Sequence, residues 1–255
     1  MKKILRKLKS KFVRHEILEE FTLDNTVYRV IERKNLLKPT KNQRALAFKV
    51  KGNSALWFHS KIYVNPKQIF QPYAKWFQDI FDSWGKQFGV ENALVLGCAG
   101  CAIPRFLAFR FKCKIIGVEY IEKFVEIANK HFLLDEIKNN FTLIQGDGFA
   151  FIKDYAFENK QDIIFVDMFD ENQFLEDAFS KEFIKNLFDK TSENSLVLFN
   201  LLGKNKEEVL RFIESINEQF NRKLVMERGG KVCLLLIKSQ NNEETNAFIN
   251  SLEKI

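Results

Sequence analysis

The sequence predicts an α/β protein in which a helix-covered parallel sheet follows a small N-terminal region of β-hairpins. Three observations carry this prediction. From residue 91 onward, short apolar runs alternate with segments of helical period, which is typical of parallel βα units. The last two runs flank Gly229-Gly230, a turn that indicates an antiparallel hairpin. Residues 15–62 alternate apolar and polar positions around two turns, a pattern typical of strands with one exposed face.

Two β-hairpins are predicted in the N-terminal region, over EILEEFTLDNTVYRVIERK and RALAFKVKGNSALWFHSK, with turns at Asp24-Asn25 and Gly52-Asn53. A helix of about 22 residues is expected after Pro66, because proline is favoured in the first turn of a helix. Its apolar residues recur every three or four positions and are expected to face the core. They are Phe70, Tyr73, Phe77, Ile80, Phe81, Trp84 and Phe88.

Five parallel strands are predicted in the C-terminal part, within NALVLG, KIIGVE, FTLIQGD, DIIFVD and SLVLFN. Helical patterns separate them, and Asn205 followed three residues later by Glu208 indicates a capping box. RKLVMER and KVCLLLIK form the closing hairpin. The chain is therefore divided into a basic tail at 1–14, a small β region at 15–65, a connecting helix at 66–90 and an α/β domain at 91–255.

The composition describes a globular chain. Of its 255 residues, 46% are hydrophobic and 29% are charged, whereas disorder requires low hydrophobicity. No apolar run approaches the roughly 18 residues that a membrane-crossing helix needs. The N-terminus lacks the apolar stretch of a secretory signal, so we expect a cytoplasmic protein.

The net charge of +7 originates in the tail. Seven of the 40 Lys and Arg residues lie in residues 1–14, which contain no acid, and the rest of the chain carries 33 of each sign. The remainder therefore lacks the basic excess of a DNA-binding domain. Apolar residues at helical spacing in the tail leave two interpretations open. It is either a solvated helix end or frayed terminus, or a basic amphipathic helix that contacts anionic lipid or nucleic acid.

Candidate site residues directly follow the strands of the predicted parallel sheet, where open α/β sheets bind their ligands. The first strand is followed by six small residues, Gly97-Cys98-Ala99-Gly100-Cys101-Ala102. Small side chains let a nucleotide approach the backbone N–H groups at a helix N-terminus. Glu119 ends the second strand 22 residues after Gly97, a distance at which an acid accepts hydrogen bonds from both ribose hydroxyls.

Three aspartates follow the third and fourth strands. Asp147, between two glycines, is either the N-cap of the next helix or a ligand contact. Asp167 and Asp170 come after the fully apolar run IIFV, and Asp167 is expected to point into a cleft with low-dielectric walls. There it would steady a sulfonium cation or take a proton from a nucleophilic amine.

Cys98 and Cys101 form a C-x-x-C pattern. We interpret them as small loop-filling residues, with a regulatory disulfide or a metal site as alternatives. A structural zinc site needs a second pair of ligands, so no metal is assigned. Arg105, in the helix after this loop, either meets a carboxylate or lies at the surface, and the surface position is favoured.

Motifs in ALVLGCAGCAIPRFL, GVEYIEKFVEIANKHF, LIQGDGFAFI and QDIIFVDMFD resemble the spermidine synthase-like branch of the class I S-adenosylmethionine (SAM) methyltransferase superfamily. The resemblance runs from about residue 54 to residue 238, and the family carries a small β domain where the hairpins stand. It implies that residues 91–255 form a SAM-binding Rossmann-like domain that uses SAM or decarboxylated SAM. It further implies roles for individual residues: Gly97, Ala99 and Gly100 at the methionine part, Glu119 at the ribose, Asp147 and Gly148 at the adenine, Asp167 at the reacting group, and Tyr73 and Asp170 in the substrate pocket.

Departures from the family pattern rank the possible functions. The corresponding loop of aminopropyltransferases resembles G-G-G-D-G-G, and Gly100 replaces its acid here. The acid that follows the family's tyrosine by two positions is Lys75, and the expected upstream glutamine is Tyr63. A polyamine needs several carboxylates to offset the cost of removing its charges from water. These replacements therefore disfavour a polyamine substrate.

Three functions stay open on these residues. The leading hypothesis is a SAM-dependent methyltransferase with Asp167 as its base, acting on a small-molecule acceptor that the sequence does not identify. The second is an aminopropyltransferase that makes spermidine or a related polyamine from decarboxylated SAM. The third is a non-catalytic nucleoside-binding or interaction module, which Ala99 and Cys101 at glycine positions favour. The resemblance also suggests a homodimer.

Overall fold

The computed structural model describes residues 13–50, 56–72, 74–170, 173–201, 203–216 and 220–255. Most of the predicted basic tail, the turn at Gly52-Asn53 and Tyr73 lie outside these residues. Within them, no helix is both long enough and apolar enough to span a membrane.

The N-terminal region is an antiparallel sheet of four strands in sequence order. They are β1 (Val13–Leu23), β2 (Thr26–Asn35), β3 (Gln43–Val50) and β4 (Trp57–Tyr63). The predicted turn at Asp24-Asn25 is confirmed, because Leu23 pairs with Thr26 across it. Asp24 has a positive φ of 49°, a conformation in which Asp is enriched among non-glycine residues. The pairing of β3 with β4 confirms the second hairpin.

The connecting helix is shorter than expected. It is α1 (Lys75–Phe88), and the prediction that it starts directly after Pro66 was wrong. The buried side chain of Gln71 explains the difference, because it accepts a hydrogen bond from the Tyr63 N–H at 3.0 Å and donates to the carbonyl oxygen of Gln68 at 2.8 Å. The second bond occupies a carbonyl oxygen that a helix starting after Pro66 would use. The predicted core face of the helix is confirmed at Phe77, Ile80, Phe81 and Trp84.

A seven-stranded sheet forms the centre of the α/β part. Its strands are β5 (Asn92–Leu96), β6 (Lys114–Glu119), β7 (Phe141–Gln145), β8 (Gln161–Val166), β11 (Thr191–Asn200), β12 (Arg222–Arg228) and β13 (Lys231–Lys238). Their spatial order is β12-β13-β11-β8-β5-β6-β7. Strands β5, β6, β7, β8 and β11 are mutually parallel, and β13 runs antiparallel to both of its neighbours. The predicted sheet with its closing hairpin is therefore confirmed. A short hairpin of β9 (Phe169–Asp170) and β10 (Gln173–Phe174) follows β8.

Helices cover both faces of this sheet. They are α2 (Ala102–Phe111), α3 (Glu122–His131), α4 (Gly148–Asp154), α5 (Lys181–Lys190), α6 (Lys206–Ser215) and α7 (Asn242–Leu252). Side chains of β5 alternate between two cores, with Val95 packed among α1, α2, α3 and α7 and Leu96 among α4, α5 and α6. The capping box of Asn205 and Glu208 at the start of α6 is confirmed.

The N-terminal sheet packs on the α3 side of the molecule. Its buried residues Val30, Leu46 and Ile62 belong to the same apolar core as α1 and α2. At the edge of this contact, Glu19 of β1 pairs with Lys130 and His131 of α3, each at 2.8 Å. The ion pairs and the shared core place the β region beside the helix that follows Glu119.

Candidate active site

The loop between β5 and α2 depends on a glycine at its first position. Gly97 has a φ of +86°, and a Cβ atom there would lie 2.2 Å from the carbonyl oxygen of Asp167. Only glycine allows the two backbone segments to approach so closely. Ala99 and Cys101 also have positive φ, 43° and 56°, which costs free energy for residues with a side chain. Strain of this kind is concentrated at functional sites.

Glu119 fastens this loop from the neighbouring strand. Its Oε2 accepts hydrogen bonds from the N–H groups of Cys98 and Ala99, at 3.0 and 2.8 Å, and its Oε1 accepts one from Ile121 at 3.0 Å. The residue is only 6% exposed. Burial raises the pKa of Glu119, and the backbone hydrogen bonds act in the opposite direction. Glu119 therefore positions the predicted nucleotide loop, and its contact with a ribose stays a prediction.

Asp167 ends the fourth strand and is held by two neighbouring strands. Its N–H donates to the carbonyl oxygen of Leu96 at 2.8 Å, and its Oδ1 accepts a hydrogen bond from the Asn200 side chain at 2.7 Å. Burial raises the pKa of Asp167 to about 7, and the charge of Glu119 adds to the increase, whereas Asn200 and Lys231 oppose it. A carboxyl group of this pKa can exchange a proton at neutral pH.

The two acids and the small-residue loop lie at the same carboxyl edge of the sheet, and we call this part of the edge the crevice. Glu119 and Asp167 act electrostatically on each other, and both act on the Cys98 thiol between them. Glu119 ends β6, the loop follows β5, and Asp167 follows β8. The carboxyl ends of these three strands meet at the position where the strand order reverses. This is the position at which open α/β sheets bind ligands.

Gly100 and Gly148 are glycines because large buried side chains lie against them. A Cβ atom at Gly100 would be 2.5 Å from the ring of Phe132, and one at Gly148 would be 2.6 Å from the Met168 sulfur. Phe132 is fully buried. An acidic side chain at position 100 therefore requires Phe132 to move. The departure from the family loop is part of how this fold is packed.

The structure describes the remaining predicted site residues to different extents. Asp147 is the N-cap of α4 and accepts a hydrogen bond from the Phe149 N–H at 2.7 Å, so its contact with an adenine stays a prediction. Tyr73 lies outside the described residues. The backbone of Asp170 pairs with Gln173, and its side chain belongs to the part that is not described.

The four cysteines are free and buried. Burial raises the pKa of the Cys98 thiol well above its ordinary value and that of Cys113 to about 12, and such thiols are unreactive. Among the described residues, no group of three or more His, Cys, Asp or Glu side chains is arranged to hold a metal ion.

The favoured surface position for Arg105 was wrong. Its side chain is fully buried and donates hydrogen bonds to the carboxylate of Glu136 at 2.8 Å and to the carbonyl oxygen of Leu133 at 2.9 Å. A buried guanidinium needs such partners, so Arg105 ties α2 to the segment after α3. It takes no part in the crevice described above.

Three buried polar residues near the site were missed by sequence reasoning. Asn200 follows the apolar run of the fifth strand, so applying the strand-end rule there identifies it. Gln71 and Gln78 bond to each other, with the Gln71 N–H donating to Gln78 Oε1 at 2.7 Å and Gln78 Nε2 donating to the Gln71 carbonyl oxygen at 3.3 Å. This pair ties the segment before α1 to the helix itself. No sequence pattern indicates it.

The sheet order is that of the class I methyltransferase fold. The family model of the spermine/spermidine synthase domain matches residues 91–226, more than half of the chain. The chain belongs to this family, and the resemblance inferred from its motifs is confirmed.

The chain is also similar to individual proteins. A polyamine aminopropyltransferase from Alkaliphilus metalliredigens (strain QYMF) is 31% identical over 140 residues, which are 53% of this chain and 45% of that protein. The match thus spans less than half the length of this curated relative. A probable spermidine synthase from Corynebacterium glutamicum ATCC 13032 has a TM-score of 0.66 at 14% identity, covering 92% of this chain and 87% of that one. Human methyltransferase-like protein 13, in complex with SAH, has a TM-score of 0.52 at 17% identity, covering 71% and 90%.

These comparisons reverse the order of the first two hypotheses. They support a methyltransferase only at the level of the fold, whereas the family and the curated relative both favour aminopropyl transfer. The argument from Lys75 also loses its weight. This side chain is 63% exposed and pairs with Asp79 at 2.5 Å. Its charge is therefore compensated within α1.

Proposed function

We propose that this protein transfers an aminopropyl group from decarboxylated SAM to an amine acceptor. The observation that carries the proposal is the match of residues 91–226 to the spermine/spermidine synthase domain, and Asp167 at the end of β8, whose pKa burial raises to about 7, supports it. A free alkylammonium has a pKa near 10.4 and must lose a proton to react. A base beside the acceptor nitrogen serves this need, and methyl transfer to an already ionised acceptor would not require one.

The residues of the crevice fit a nucleoside sulfonium. The loop from Gly97 presents only small side chains, and Glu119 and Asp167 provide two carboxyl groups beside it. A buried cation requires such negative partners. Decarboxylated SAM supplies the electrophile, a carbon bonded to a positively charged sulfur.

Proton balance defines the role of Asp167. As the bond between the acceptor nitrogen and the aminopropyl carbon forms, the bond between that carbon and sulfur breaks and its electron pair stays on sulfur. The products are 5′-methylthioadenosine and the extended amine, and the proton released from nitrogen passes to Asp167. Glu119 keeps the loop in place, so most of the acceleration is expected from positioning.

Methyl transfer from SAM is the second candidate, and one observation favours it. The N-terminus of α2 has no side-chain cap, and the N-terminus of a helix attracts a carboxylate. SAM has a carboxylate in its methionine part, and decarboxylated SAM does not. Gly100, where the family loop has an acid, points in the same direction.

Product analysis separates the two candidates. The purified protein is incubated with decarboxylated SAM or with SAM and a panel of diamines and polyamines, and the products are measured by mass spectrometry. We expect 5′-methylthioadenosine from decarboxylated SAM, and a loss of about 100-fold or more in Asp167→Asn. Asp189→Asn, on the exposed face of α5, is the matched control and should keep full activity.

Two results would contradict the proposal. Formation of SAH from SAM, with no product from decarboxylated SAM, would establish methyl transfer instead. Tight binding of 5′-methylthioadenosine in a titration, with no turnover of either donor, would indicate a non-catalytic nucleoside-binding module.

A further inference from the structure

Asn200 is a polar residue in an apolar environment. It ends β11, and its neighbours Phe199 and Leu201 are fully buried, while Asn200 itself is 6% exposed. Its Nδ2 donates a hydrogen bond to Asp167 Oδ1 at 2.7 Å. Its Oδ1 is buried and has no hydrogen-bond partner within the described part of the chain.

An acceptor buried without a partner destabilises the folded state. A leucine of similar size would pack against the same neighbours without this cost. The amide orientation is determined by chemistry, because an ionised carboxylate accepts hydrogen bonds and cannot donate them. In the structure the Nδ2 group faces Asp167, the orientation that donates to the ionised carboxylate, and the amide oxygen has no partner within the described residues.

We propose that Asn200 is a positioning residue that holds one oxygen of Asp167 and leaves the other for the acceptor amine. This inference rests on the proposed function, in which Asp167 accepts the proton. By donating to Oδ1, Asn200 also favours the ionised form that a base must have.

Other groups around Asp167 define what Asn200 must counteract. Glu119 on β6 disfavours ionisation through its charge, and burial acts in the same direction. Lys231 at the start of β13 favours ionisation. The buried Cys98 thiol lies in the same crevice, with its pKa raised. Asn200 is the one neighbour among these that bonds directly to the carboxylate.

The test measures the pKa of Asp167 in the full-length protein without any ligand. The protein is labelled with ¹³C at aspartate carboxyl carbons and titrated by NMR, and Asp167→Asn identifies the signal. In Asn200→Leu we expect the pKa of Asp167 to rise by about one unit, the effect of losing a hydrogen bond to a charged group. In Asn200→Asp, which keeps the shape, the increase should be larger because a second acid is added.

Measurements of stability and turnover distinguish a positioning role of Asn200 from a purely structural one. The thermal midpoint of Asn200→Leu should stay close to that of the wild type, because removal of the unpartnered oxygen offsets the loss of the hydrogen bond to Asp167. Its kcat/KM should fall about fivefold at pH 7 and approach the wild-type value at pH 9, as a one-unit shift of the base requires. Asn129→Leu, on the exposed face of α3, controls for the substitution itself.

Each outcome decides the inference. An unchanged pKa of Asp167 in both variants overturns it, as does a loss of stability with an unchanged pH profile. If Asn200→Leu does not fold, Asn200→Ala, which also removes the donor and adds no charge, carries the same titration. A raised pKa in a protein that turns over neither donor supports the pairing of Asn200 with Asp167 and contradicts the proposed function, so the two failures are distinguishable.

Discussion

Gly97→Ala is expected to damage the fold and the site together, because this glycine meets two constraints at once. Its φ of +86° is rarely adopted by residues with a side chain, and the added Cβ would lie 2.2 Å from the Asp167 carbonyl oxygen and 2.7 Å from its carbonyl carbon. Ordinary contacts begin at 3.4 Å. Because both partners are backbone atoms in a close-packed interior, the segments must separate by about 1 Å.

The expected loss of stability is the sum of two costs, that of the positive φ and that of the close contact. A left-handed conformation costs about 1–2 kcal/mol in a residue with a side chain. Overpacking a well-filled site costs about 1–3 kcal/mol. The free energy of unfolding should therefore fall by about 2–5 kcal/mol, a large part of the roughly 5–15 kcal/mol typical of native proteins. Displacement of Asp167 should also weaken nucleoside binding by about tenfold or more.

Urea unfolding followed by circular dichroism measures the loss, and Gly89→Ala provides the control. Gly89 has a similar φ of +74°, but a Cβ atom there would meet nothing within 4 Å. It isolates the cost of a positive φ, so its loss of stability should be about 1–3 kcal/mol. Equal losses in the two variants would refute the reasoning, because contact with Asp167 would then contribute nothing.

Three further substitutions probe separate parts of the structure. Glu119→Gln leaves a backbone N–H of the loop without an acceptor, so the free energy of unfolding should fall by about 1–3 kcal/mol, and titration calorimetry should show weaker binding of 5′-methylthioadenosine. Hydrogen bonds from Lys130 and His131 lower the pKa of Glu19 to about 2, so its contribution to stability is complete above pH 4.5 and is lost as the pH falls towards 2. Glu19→Gln should therefore reduce the loss of urea stability between pH 6 and pH 3. Gln78→Leu removes the acceptor of the buried Gln71 N–H, so the free energy of unfolding should fall by about 1–3 kcal/mol in urea unfolding.

Matched controls test the reasoning behind each of these substitutions. Glu122→Gln and Glu253→Gln replace exposed acids, and Gln87→Leu replaces an exposed residue of the same helix as Gln78. Similar effects in a variant and its control would contradict the corresponding explanation. For Glu19, an unchanged acid sensitivity would show that the ion pairs with α3 do not stabilise the β region.

Local patterns in the sequence were sufficient for most of the architecture. Apolar runs alternating with helical segments predicted the parallel sheet, and the glycine pair predicted its antiparallel end, because these signals depend on near neighbours in the chain. The start of α1 was not predictable in this way. It depends on the bond between Gln71 and Gln78, which forms only when two separate segments meet in the core.

The sequence by itself determined the family, the parallel strands with their antiparallel end, and the loop and acids at the ends of the strands. Parallel strands bring their carboxyl ends to one edge, so the topology implied that Gly97, Glu119 and Asp167 lie together. Tertiary structure alone decided their chemical state. Phe132 excludes an acid at Gly100, and the buried amide of Asn200 meets Asp167. Burial and contacts between distant segments set packing and pKa, and no periodicity in the chain encodes them.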